Sequence, residues 1–138
     1  MKLYLSHLVI FNLLLLTTTT CQKLPDISDS TNLPILQWEH NSFDFGNLSS
    51  GTKVSHEYKF KNSGSLPLII SNVLVTCGCT VPKWPQVPIP PKKTGTITIF
   101  FNTKGKTGVQ NKTITILTNS KSGKETLMFS ANILPEIK

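Results

Sequence analysis

The sequence predicts an all-β chain folded as an antiparallel β-sandwich of about seven strands. Three observations carry that prediction. From Leu36 onward, apolar and polar residues alternate with a period of two, the mark of half-buried strands. Clusters of Gly, Asn, Ser and Pro interrupt the alternation at roughly ten-residue intervals. No stretch carries the three- and four-residue spacing of an amphipathic helix.

Each element follows in order. Leu36, Trp38 and His40 alternate with Gln37 and Glu39. Phe43-Asp44-Phe45-Gly46 extends this first strand to a turn at Asn47-Leu48-Ser49-Ser50-Gly51. Val54, His56, Tyr58 and Phe60 then share one face, with Ser55, Glu57, Lys59 and Lys61 on the other. Asn62-Ser63-Gly64-Ser65 is a turn. An apolar run from Leu66 to Val75 follows, and Pro67 marks an edge or a strand beginning, because proline cannot donate to a ladder. The run leads into a corner, Thr76-Cys77-Gly78-Cys79-Thr80, about which the other strands are arranged. Trp84 to Pro91 reads as an extended, polyproline-like crossing. Thr94 to Asn102 is a strand with Ile97, Ile99 and Phe101 on one face. Lys104 to Gly108 is a loop, Lys112 to Thr118 alternates again, and Asn119 to Gly123 turns. Glu125 to Leu134 closes the domain with Leu127, Phe129, Ala131 and Ile133 inward. Thr and β-branched residues dominate, as a pleated, half-buried surface favours. The spacing is that of an immunoglobulin-like sandwich over residues 36–138, since about 100 residues suffice for such a core. There is no internal repeat and no second domain.

Charge bounds the partners. The 14 basic residues are all lysine, against 7 acidic, for a net charge of +7. The lysines are scattered singly, apart from Lys92-Lys93, and arginine, the planar fork that reads phosphate and guanine bidentately, is absent. A solvated basic surface is expected, and no nucleic acid.

The amino terminus reads as a targeting segment. Met1-Lys2 is followed by the apolar run Leu3 to Leu16 and by Thr17 to Thr20, the layout of a secretory signal peptide over residues 1–20. The run is shorter than the roughly 20 apolar residues that span a bilayer. Cys21 stands directly after the small residues and resembles the lipid-bearing cysteine of bacterial lipoproteins, although Thr20 and Thr18 depart from the usual residues there. Assigning Cys21 to lipidation leaves an even pair of cysteines. Residues 21–35 are polar and without periodicity, a flexible tether. The expected location is the bacterial cell envelope, anchored to a membrane through acyl chains on Cys21, on the periplasmic face or the cell surface.

Little in the chain suggests chemistry. Cys77 and Cys79 lie two apart, on one face of an extended chain, and Gly78 between them is free to bend. A disulfide, a thiol pair shaping the turn, a redox couple and a Cu(I) site are all compatible with that spacing. A closed zinc site needs two further ligands, for which His40 and His56 are the only histidines beyond the leader. Trp84 is the candidate binding-surface residue, an indole able to stack on a sugar or peptide; beside prolines it equally suits sealing a sandwich rim. There is no Gly-x-Ser-x-Gly elbow, no close pair of carboxylates, and no phosphate loop around Gly105-Lys106-Thr107. No catalytic residue, no resident metal and no cofactor are expected.

The order of landmarks resembles a known family. They are Phe43-Asp44-Phe45-Gly46, Gly51, Tyr58-Lys59-Phe60-Lys61-Asn62-Ser63-Gly64, Pro67-Leu68-Ile69-Ile70, Cys77-Gly78-Cys79-Thr80, Trp84, Pro88-Ile89-Pro90-Pro91 and Thr118-Asn119. In this order they are similar to the domain of unknown function 1573, common in Bacteroidetes behind secretion or lipoprotein signals. The resemblance covers about Trp38 to Leu134 and implies an immunoglobulin-like sandwich, with no established activity. One departure is Lys92, where the family usually carries Gly after proline. The expected function is a non-catalytic binding or scaffold module with a protein partner in the envelope; the alternative is a thiol-redox or Cu(I)-handling protein using Cys77 and Cys79.

Overall fold

The computed structural model describes residues 32–135. Every regular element among them is a strand. In chain order these are β1 (Leu36–Trp38), β2 (Ser42–Ser49), β3 (Lys53–Asn62), β4 (Ile70–Val75), β5 (Thr80–Lys83), β6 (Thr94–Asn102), β7 (Gly108–Thr118) and β8 (Lys124–Leu134). They form two four-stranded sheets, the first ordered β1-β3-β6-β5 and the second β2-β8-β7-β4. The leader, Cys21 and most of the tether lie outside the described residues.

The core lies between the sheets and is built by the expected alternation. Tyr58 and Phe60 of β3 and Ile97, Ile99 and Phe101 of β6 point inward from the first sheet. Ile114 and Ile116 of β7 and Leu127, Phe129, Ala131 and Ile133 of β8 meet them from the second. The buried apolar cluster begins at Leu36 and ends at Ile133, so it closes within the described residues. Edge-to-face rings join the layers: Phe101 meets Phe129 at 5.0 Å between centroids, and Phe129 meets Phe45 at 5.7 Å.

Five expectations are corrected. There are eight strands rather than about seven, and one pairing is not antiparallel: β2 runs parallel to β8. The stretch from Leu36 to Phe45 is not one strand. It breaks after Trp38, sending β1 to the first sheet and β2 to the second. The cause shows in the phase of the alternation, because the core-packed positions change from even numbers (Leu36, Trp38) to odd at Phe45. β2 also runs on to Ser49, through the stretch expected to turn, across an irregularity between Asp44 and Asn47. Gly46 sits there at φ 68°, a left-handed conformation that glycine adopts without a Cβ penalty. Lastly, Thr80–Lys83 is a strand although it contains Pro82. β5 is an edge of the first sheet, where proline is tolerated.

The run from Leu66 to Val75 is strand only from Ile70; Leu68 instead makes an isolated bridge to Ile89 in the proline-rich crossing. That bridge closes over Asn62, which is fully buried. Its side-chain oxygen accepts from the Ile35 and Gly64 amides at 3.3 and 3.1 Å. Its amide nitrogen donates to the Leu66 and Ile89 carbonyls at 2.8 and 3.0 Å. A Cβ at buried Gly64 would collide with the backbone of Leu33–Ile35, so the incoming chain crosses the turn only because this residue is glycine.

Tyr58 gives the sandwich a pH response. Its hydroxyl donates to the Met128 carbonyl at 2.7 Å, across the two sheets, and burial raises its pKa from 10.0 to about 12. Between those values the folded state keeps a proton that the unfolded chain has lost, so stability falls as pH rises through this interval. Below it the contribution is complete. Urea unfolding midpoints taken from pH 9 upward (roughly the reference tyrosine range) are expected to decline more steeply for the wild type than for Tyr58→Phe.

Candidate binding site at the sheet-switch corner

The Cys-Gly-Cys segment is where the chain changes sheets. It leaves β4 on the edge of the second sheet at Val75 and enters β5 on the edge of the first at Thr80. A crossing this short needs a tight bend. The Thr80 amide closes it on the Cys77 carbonyl at 3.3 Å, and the Asn102 amide holds the Cys79 carbonyl at 2.9 Å. Cys77 and Cys79 form a disulfide with their Cα atoms 5.3 Å apart. The buried Thr80 hydroxyl lies 3.7 and 3.9 Å from the two sulfur atoms. Both cysteines are half-buried, and Cys79 packs against the core.

A groove of about 390 Å³ opens beside the corner, lined by Cys79 and by Lys53, Ser55, Val81, Phe100 and Asn102 among others. Register places Phe100 opposite both Val81 and Ser55. Val81 is 60% exposed and Phe100 47%, so the groove has an apolar floor that faces solvent. Among the residues lining it, Lys53 is the ionisable side chain, and Cys79 brings the disulfide to its wall.

The other sequence-predicted residues lie elsewhere. Trp84 is half-buried against the core, with its indole N–H buried and unpartnered. Its ring packs against the core, as a rim-sealing tryptophan would. His56 is half-buried and stacks on Phe43 at 3.6 Å, clasping β3 to β2. Burial lowers its pKa, with His40 adding to the effect and Glu57 opposing it. His40 is exposed. Among the described residues, no three His, Cys, Asp or Glu side chains gather as metal ligands would.

The four sheet edges are unequal. β1 is only 3 residues long. β2 is broken by its irregularity at Gly46 and carries Asp44. β5 carries Pro82 and Lys83. These are the usual devices that discourage a further strand from pairing. β4 reads Ile-Ser-Asn-Val-Leu-Val, with neither proline nor charge; its one irregularity lies near its start, between Ile70 and Asn72, and Leu74 beyond it is 48% exposed. The last strand, β8, lies between β2 and β7 and so presents no edge.

Two four-stranded sheets packed face to face make this a β-sandwich, and solved structures share the architecture. The ASH/PapD-like domain 7 of human CEP192 superposes with a TM-score of 0.60 at 8% identity, covering 86% of this chain and 98% of that one. A protein of unknown function from Porphyromonas gingivalis W83 superposes with a TM-score of 0.65 at 16% identity, covering 74% of this chain. This chain spans about half of that protein, 48% of its length. The secreted serine protease VesC from Vibrio cholerae also contains a similar unit (TM-score 0.55, 12% identity), covering 79% of this chain and 24% of the protease. At these identities the likeness is one of fold alone. Curated proteins give no match. The chain belongs to the family described as protein of unknown function (DUF1573), whose model matches residues 36–133.

Proposed function

We propose that this protein is an exported, lipid-anchored module of the bacterial cell envelope that binds a protein partner and catalyses nothing itself. The observation that carries the binding role is the open edge of β4. An uncharged, proline-free edge accepts an extended partner strand, with main-chain hydrogen bonds giving affinity and side-chain alternation giving selectivity; at Val73 the partner would displace the Asn72 side chain, which accepts from that amide at 2.8 Å. Leu74, on that edge, supplies an apolar anchor. The anchor to the membrane is Cys21, whose acyl chains hold the sandwich at the bilayer through the tether.

A photo-crosslinking residue in place of Leu74 is expected to capture a protein in intact cells, and one in place of Thr126, exposed on the inner strand β8, is not. Capture at neither position, or equally at both, would remove the edge from the proposal. Labelling with radioactive palmitate tests the anchor separately, and it should disappear in Cys21→Ala.

A second reading has its own observation. The Cys77–Cys79 disulfide stands beside a solvent-facing apolar groove. A partner thiolate docked there would attack one sulfur, forming a mixed disulfide and releasing the other as thiolate. Thiol counting in the folded protein discriminates: a pair inert to dithiothreitol in native buffer, and empty of Cu(I) after reduction in urea and refolding, leaves only the structural clasp.

A further inference from the structure

The sandwich has two poles, and the chain from Cys21 arrives at one of them. This pole is made by residues 33–36, 62–69, 89–93 and 119–124. Hydrogen bonds tie these segments together: Ser63 donates to the Ile35 carbonyl at 2.9 Å, Lys92 to the Asn62 carbonyl at 2.7 Å, and Ile69 to the Asn119 side chain at 2.8 Å. Three large apolar side chains stand out from it: Ile35 is 50% exposed, Leu66 44% and Ile69 45%. Around them are the exposed lysines Lys61, Lys92, Lys93, Lys121 and Lys124. Among the described residues, the acid at this pole is Glu125, whose carboxylate accepts a hydrogen bond from the Ser122 hydroxyl.

We infer that this pole rests on the surface of an anionic phospholipid bilayer. Apolar tips ringed by ammonium groups match an interface where acyl chains lie beneath anionic headgroups. Each lysine near such a surface raises affinity about fivefold. The attraction acts within a Debye length of about 8–10 Å, so it favours an orientation that brings this pole into contact. The covalent path agrees. Residues 22–31 span at most about 36 Å when extended. A weak surface contact is therefore made at high effective concentration once Cys21 is anchored. The physiological role of this contact rests on the lipid-anchor proposal, but the contact itself does not, and the unlipidated protein tests it.

The probe is the chain from Gln22 to Lys138, whose buried core is complete, mixed with phosphatidylcholine vesicles with and without phosphatidylglycerol and read by co-sedimentation. The wild type is expected to pellet with the anionic vesicles, less so as salt rises, and not with phosphatidylcholine alone. Lys61→Glu/Lys121→Glu/Lys124→Glu should weaken binding about a hundredfold or more, from fivefold per lysine. The opposite pole provides the control, because Lys53→Glu/Lys104→Glu/Lys106→Glu makes the same change in net charge and should keep most of the binding. Circular dichroism of both variants shows that each is folded. Emission from Leu66→Trp should shift to the blue on anionic vesicles. The inference is overturned if the wild type ignores anionic vesicles, or if both triple variants lose equally. It is also overturned if soluble dextran sulfate competes fully while Leu66→Trp emission stays unshifted on vesicles, since the pole would then be a general polyanion site.

Discussion

Asn62→Ala is expected to lower the free energy of unfolding by about 3–5 kcal/mol, a loss reserved for buried networks. The side chain makes all four hydrogen bonds available to an amide, and every partner is a backbone group. Removing it takes their partner from the Ile35 and Gly64 N–H groups and the Leu66 carbonyl, while the Ile89 carbonyl keeps only the Leu68 amide. The partners belong to three pieces of chain: the incoming segment at Ile35, the turn at Gly64 and Leu66, and the crossing at Ile89. The loss should therefore loosen the whole pole. Asn62→Asp keeps the acceptor but points a carboxylate at two carbonyls, and it should be at least as damaging at neutral pH. Urea denaturation of each variant checks both, with Asn132→Ala on the solvent side as the mild reference.

Phe129→Ala should cost a similar amount, about 3–5 kcal/mol, through a different cause. The ring is 2% exposed and lies between Phe101 of β6 and Phe45 of β2. Truncation leaves a void at the centre of the layer, bordered by rings on two other strands that cannot both collapse into it. Calorimetry should show a large fall in Tm with the far-ultraviolet spectrum retained below the transition. A loss under about 1 kcal/mol would mean that the layers repack freely, contrary to the close packing of protein interiors.

The inner faces of β3, β6 and β8 were legible because a pleat forces alternation, and each inward residue named from the sequence for these strands is buried or half-buried. Pairing was less legible. Nothing near Phe43 or Phe129 announces that β2 lies parallel to β8, since the two are separated by most of the domain. Pro82 concealed β5, because proline argues against a strand unless the strand is known to be an edge. Asn62 looked like a turn residue, and its role depends on Ile89, which is 27 positions away. Lys92 is instructive. The family resemblance led us to expect glycine there, and the backbone is left-handed, with φ 66°. Lysine accepts that conformation while its amide donates to Asn62 and its ammonium to the Ser63 carbonyl at 2.6 Å. At the corner, the cysteine spacing was plain, whereas the groove beside it required knowing that Phe100 and Val81 are neighbours across β5 and β6.

Of the eight strands, the one that joins β2 to β7 in the second sheet is also the last to leave the ribosome. Until it emerges, β2 has no neighbour, and the inner face of β7 is covered from one side only. Such non-local pairing is slow by nature. A nascent chain of this design cannot complete its second sheet until its final strand has been made.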